Sequence, residues 1–195
     1  QPIMVLNRRL RRHPAHCVYS DQQAAAAAVV DKLVEMGHTD IAFITGSADS
    51  PTGMERLAGY REALARHGIP VREALIAPGK WTPACGAAGV STLLARGVSF
   101  SALIASNDDM AIGAIKQLYE SGLSVPEQVS VVGFDDIALA PYVIPSLASV
   151  KMPVTEMIQE TISRLITMVE EGEPEALPSF SGKLVRRDSL KRLLE

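Results

Sequence analysis

Cysteine is nearly absent from this 195-residue sequence, with only Cys17 and Cys85 present. Two cysteines so far apart fit neither a disulfide framework nor a structural zinc site, and they suit a reducing compartment. No apolar run is long enough to cross a bilayer, and no secretory signal is present. Charge of one sign is also lacking: 19 Lys and Arg stand against 22 Asp and Glu, a formal charge of −3. Such a balance carries no electrostatic footprint for a phosphate backbone. The one basic run, NRRLRR at residues 7–12, reads as a solvated loop rather than as a phosphate-binding segment.

Catalytic signatures are missing as well. No G-x-G-x-x-G follows a strand, GSADSPTG lacks the Gly-Lys-Ser/Thr ending of a phosphate-binding loop, and no G-x-S-x-G elbow occurs. The four histidines (His13, His16, His38 and His67) fall in loops or at helix ends, none beside a nucleophile. The acidic pairs in NDD and FDD are capable in principle of sharing a divalent ion. A nearby arginine, Arg56, argues instead for an uncharged ligand. The expectation is a protein that is not an enzyme and holds neither a metal nor a cofactor.

What the sequence does have is apolar material, 47% of its residues, ample for a packed core. It is arranged in a clear rhythm. DIAFITG (40–46), ALIAP (74–78), SALIAS (101–106) and VSVVGF (129–134) read as buried strands. Between them lie helical patterns at 55–68, 83–97 and 108–122, each stopped by glycine, and another precedes them at 21–37. Continuous apolar strands alternating with helices predict a parallel sheet covered on both faces. The flanks break this rhythm. IMVLN and HCVYS resemble strands with no helix between them; a strand and long helix occupy 147–172, and LPSFSGKLVRRDS reads as a final strand. These pieces predict a second, discontinuous α/β unit, short of strands because the chain begins mid-pattern.

In open parallel sheets, ligands bind beyond the carboxyl ends of the strands. After the first predicted strand come Ser47, Asp49, Ser50, Thr52 and then Arg56; after the second, Lys80 and Trp81, the only tryptophan; after the third, Asn107 and Asp108; after the fourth, Asp135 and Asp136. Guanidinium, carboxylate and amide groups match adjacent sugar hydroxyls in pairs, and an indole offers a wall for the C–H face of a pyranose. Each residue also has a plain structural alternative. Asp135 and Asp136 suit a turn cap, Asn107 and Asp108 a helix start, Arg56 a solvated helix face, and Trp81 the core.

The ordered segments GHTDIAFITG, RLAGYREAL, SNDDMAIGA, SGLSVPEQVSVVGFDD, PSLASVKMPVTEM and LVRRDS resemble the effector-binding domain of the LacI/GalR regulators, over essentially the whole chain. GSADSPTGMERLAGY, GKWTPACG and SNDDMAIGA are most similar to its galactose-repressor branch. The resemblance implies a type I periplasmic-binding-protein-like α/β fold. Its two doubly wound parallel-sheet subdomains hold the effector between them, the N-subdomain being incomplete here. Residues 1–20 and 149–174 correspond to the N-subdomain, and 21–148 and 175–195 to the C-subdomain. Effector-binding roles carry over to Arg56, Trp81, Asn107 and Asp135, less closely to Thr52 and Ser50, and more loosely to Asn7.

The implied function is a sugar-responsive transcriptional repressor that binds a monosaccharide such as galactose. Its partners would be a second copy of the chain and operator DNA, the latter only through a helix-turn-helix domain absent from this chain. A cytoplasmic location and no membrane association follow from the same likeness. The predicted helix at 108–122 carries an apolar stripe of Met110, Ala111, Ala114, Ile115 and Leu118, widened by Ile112 and Tyr119. A homodimer contact through Ile112, Tyr119 and Tyr142 accounts for that width; a helix wedged between sheet and loop is the alternative. The rival function is a periplasmic sugar-binding protein of a transporter, which uses the same fold.

Overall fold

The computed structural model describes residues 2–10, 12–170, 172 and 179–193. The chain forms two units and passes between them three times: residues 1–21 and 152–182 make the smaller, residues 22–151 and 183–195 the larger.

In the larger unit, six strands lie in the order β4-β3-β5-β6-β7-β8. They are β3 (Ile41–Ile44), β4 (Ile76–Ala77), β5 (Ala102–Ala105), β6 (Ser130–Phe134), β7 (Ala148–Lys151) and β8 (Lys183–Val185). The first five are parallel, and β8 runs antiparallel to β7. Both faces of β3, β5 and β6 are buried, which explains their unbroken apolar sequences. Alternation still sorts the side chains. Ala42, Ile44, Leu103, Ala105 and Val131 share one core with Val90 and Leu93 of α3 (Pro83–Ala95) and with Met110, Ala111 and Leu118 of α4 (Asp108–Glu120). On the other face Phe43 meets Tyr60 of α2 (Pro51–Arg66), ring centroids 4.9 Å apart, and the Tyr60 hydroxyl donates to the Ile41 carbonyl at 2.8 Å.

Helix α1 (Gln22–Glu35) packs along α2. At Gly59 a methyl group would come within 2.0 Å of the Gln23 carbonyl oxygen, so this helix pair requires glycine there. Helix starts follow local chemistry. Ser50 Oγ accepts from Gly53 N at 3.4 Å with Pro51 as the first helical residue, so α2 begins four residues before the predicted 55. Thr82 and Asn107 cap α3 and α4 in the same way. Gly37, Gly68, Gly97 and Gly122, just beyond the four helices, all take positive φ.

The smaller unit contains β1 (Val5–Leu6) and β2 (Cys17–Val18), paired in parallel, with α5 (Val154–Glu170) packed on both. Two boundaries differ from the sequence expectation. Ser149–Lys151 pair within the large sheet, so the chain changes units after Lys151. The predicted final strand divides: Phe180 bridges Ser20 in the smaller unit, and only Lys183–Val185 join β7. Leu177 and Pro178 of that segment, and Arg11 of the basic run, lie outside the described residues. No helix among the described residues is long and apolar enough to cross a membrane.

Candidate functional site

The parallel strands of the larger unit all release the chain at one edge. Three side chains there sit on left-handed backbone: Trp81 (φ 66°), Asp135 (φ 101°) and Asp136 (φ 51°). Such conformations cost on the order of 1–3 kcal/mol each and persist only where their surroundings hold them.

Arg56 enters this edge from α2 and is 3% exposed. Its Nε donates to Gln22 Oε1 at 2.8 Å, Nη1 donates to the Ser106 carbonyl, and Nη2 reaches Asp135 Oδ1 at 3.3 Å. The guanidinium lies 4.2 Å from the centroid of the Phe134 ring. Burial pulls the proton affinity of Arg56 below that of a free guanidinium, while the charges of Asp135 and Asp108 push it back. Three of its five N–H groups are engaged in these bonds. The Asp135 side chain, in contrast, is 45% exposed. With Oδ1 held by arginine, Oδ2 is available to accept from hydroxyl groups.

The turn carrying Asp135 is held at three successive N–H groups. Asp135 N donates to the Val150 carbonyl at 2.9 Å, Asp136 N to Ser149 Oγ at 3.0 Å, and Ile137 N to Asp108 Oδ2 at 2.9 Å. Ser149 Oγ in turn donates to Asp108 Oδ1 at 2.6 Å. Arg187 clamps the far side, donating to Asp136 Oδ1 and to the Leu147 carbonyl, both at 2.7 Å. Asp108 is fully buried, and burial pushes its carboxyl up to about 6 despite the bonds from Ser149 and Ile137.

Among the expected site residues, Arg56 and Asp135 are in direct contact. Asn107 lies at the same strand ends: its Oδ1 caps α4 by accepting from Met110 N at 3.0 Å, and its Nδ2 donates to the Trp81 carbonyl at 3.0 Å. Asn107 therefore fills the structural role its position offered and also holds the backbone of Trp81. Trp81 is partly buried against the apolar core. Ser50 caps α2 and Thr52 is half-buried in its first turn. Asn7 belongs to the smaller unit, where it takes a left-handed backbone (φ 58°) and its Oδ1 accepts from Ser20 Oγ at 3.5 Å.

Gln22, Ser106, Ser149 and Arg187 escaped the sequence reading. Gln22 resembles any polar residue in a first helical turn, and Ser149 sits inside an apolar strand; neither carries a local signal. Asp108 was visible only as an acid at a helix start. Its burial depends on Gly133, where a methyl group would lie 2.1 Å from Asp108 Oδ1. No group of three or more His, Cys, Asp or Glu among the described residues is arranged to hold a metal ion.

A separate apolar surface lies on α4 and the loop before β7. Tyr119, Tyr142 and Ile144 are 81%, 78% and 93% exposed. Beside them a cavity of about 450 Å³ is lined by Ile112, Ile115, Leu123 and Val143 together with Tyr119 and Ile144.

Residues 30–190 match the family model described as a periplasmic binding protein-like domain. The chain is 64% identical over 190 residues to the HTH-type transcriptional regulator AscG of Escherichia coli (strain K12), covering 97% of this chain and 56% of that protein. It thus spans about half the length of the curated relatives it matches. Among solved structures, a sugar-binding transcriptional regulator of the LacI family from Escherichia coli, complexed with phosphate, superposes with TM-score 0.96 at 63% identity, over 99% of this chain and 69% of that one. A complex of the transcriptional regulator CelR with cellobiose superposes with TM-score 0.82 at 36% identity, over 89% of this chain and 53% of the other. These relatives are regulators and not enzymes, in line with the missing catalytic motifs.

Proposed function

The chain belongs to the LacI/GalR family, whose periplasmic-binding-protein-like domain it carries, and on that premise we propose that it binds a pyranose sugar at the carboxyl edge of its large sheet. The observation that carries this reading is the Arg56–Asp135 pair, a buried guanidinium fixing one oxygen of a half-exposed carboxylate. The fixed fork and the outward oxygen supply donors and an acceptor side by side, the pattern that adjacent ring hydroxyls demand. Trp81 and Asn107 add an apolar wall and an amide, with Ser50 and Thr52 as further polar candidates.

Galactose is the sugar expected from the branch resemblance. Cellobiose is the second reading, supported by the likeness to the CelR–cellobiose complex. Isothermal titration of the chain with each sugar decides between them. Asp135→Ala should weaken binding of the true effector at least tenfold, and unchanged affinity in this variant refutes the site.

In the whole protein the sugar acts as an effector of transcription. A helix-turn-helix domain outside this chain binds operator DNA, and sugar binding changes that affinity only as far as it favours one conformation over another. The protein works in the cytoplasm as a homodimer, joined through the face bearing Ile112, Tyr119 and Tyr142. The exposed aromatic and aliphatic side chains of that face support this reading, because apolar patches of this kind mark interaction surfaces. The named relatives are regulators, which favours this role over transport.

A further inference from the structure

Trp81 is the only tryptophan in the chain, and its indole does not rest where an ordinary sequence would let it. The six-membered part of the ring lies directly against the Cα of Gly46, at the end of β3. A methyl group built on Gly46 would stand 2.2 Å from Trp81 Cη2, 2.3 Å from Cζ2 and 2.9 Å from Cζ3. All three of its nearest neighbours are indole atoms, and none is backbone. The dihedral angles of Gly46 do not explain its identity either, because it is not among the positive-φ glycines. An alanine is conformationally admissible there. What glycine provides at this position is room for the ring.

We infer that Gly46 is the positioning residue for Trp81, and that its bare Cα sets the plane in which the indole faces a bound sugar. The inference rests on the sugar-binding reading given above. The backbone of Trp81 is not free to carry the ring elsewhere: its carbonyl accepts from Asn107 Nδ2 at 3.0 Å, its φ is 66°, and Thr82 next to it caps α3. A methyl group on Gly46 therefore acts on the side-chain torsions of Trp81 and swings the ring away from the β3 end. The stacking of a ring on a pyranose depends on orientation, so the swing removes the wall while leaving its chemistry intact. Little of the fold is engaged, since the colliding atoms belong to the far end of one side chain.

Gly46→Ala tests this with a reporter already in place, because all tryptophan emission arises from residue 81. Emission maximum and acrylamide quenching are compared between the parent chain and the variant, with melting followed by circular dichroism. Galactose and cellobiose are then titrated into both, and into Trp81→Ala and the double variant. The expected result is a shifted emission and altered quenching in Gly46→Ala, retained melting behaviour, and sugar affinity reduced tenfold or more. The double variant should bind no more weakly than Trp81→Ala alone. Unchanged emission overturns the placement of the ring. Shifted emission with unchanged affinity overturns its role in recognition, and so does an additive loss in the double variant. If the parent chain binds neither sugar, the proposed function fails and the recognition role falls with it, while the emission shift still decides whether Gly46 places the ring.

Discussion

Asp108→Asn should remove a component of stability that grows as the solution becomes more acidic. The buried Asp108 carboxyl is pushed up from 3.8 to about 6 in the folded chain. A group whose folded value is raised contributes stability that is full below its unfolded value and is lost as pH rises through its folded value. The raised value corresponds to about 3 kcal/mol over that whole window, at about 1.4 kcal/mol per unit. Between about pH 7 and pH 5 the linkage relation assigns about 1 kcal/mol of it, in the direction of greater stability at pH 5. Asparagine preserves both contacts with one hydrogen reversed: Oδ1 accepts from Ile137 N, and Nδ2 donates to Ser149 Oγ.

The comparison also isolates Asp108 from His38. Burial lowers the proton affinity of His38, so its contribution falls as the solution acidifies. That opposing contribution is common to both proteins and cancels. Urea denaturation of parent and variant at pH 5, 6 and 7, under constant ionic strength, gives the difference directly. The parent should gain about 1 kcal/mol on Asp108→Asn between pH 7 and pH 5. Parallel profiles would refute the assignment of a buried, proton-binding carboxyl at this position.

Other perturbations separate the elements of the site and the fold. Arg56→Ala leaves Gln22 Oε1 and the Ser106 carbonyl without their guanidinium partner, so it should cost roughly 2–4 kcal/mol by chemical denaturation. Asp135→Ala strands the buried guanidinium without its paired carboxylate, so it should cost about 1–3 kcal/mol although the carboxylate itself is half-exposed, and unchanged stability would contradict the pairing. Gly59→Ala should lose about 1–3 kcal/mol by forcing α1 and α2 apart, measured as a lower denaturation midpoint. If the chain pairs through the proposed face, Tyr119→Glu should shift its mass from dimer to monomer by light scattering at micromolar concentration; a parent dimer left intact by the substitution places the subunit contact elsewhere.

The sequence by itself determined the alternation of buried strands and capped helices, because periodicity, caps and stop glycines are local properties. VSVVGF reads as a strand buried on both faces, and it is one. The same reasoning placed Trp81, Asn107 and Asp135 at the carboxyl edge, since the end of each strand is written beside it. Tertiary structure decided what those residues touch. Asp135 and Asp136 are neighbours in sequence, yet one is paired with Arg56 and the other with Arg187, residues 79 and 51 positions away. Asp108 looks like a helix-start acid and is a buried anchor only because Gly133 and Ser149, on two other elements, make space and a hydrogen bond for it. Gly46 has no local reason to be glycine. Its reason is a ring that another strand's loop lays across it, and a steric constraint between distant segments leaves no trace in either segment alone.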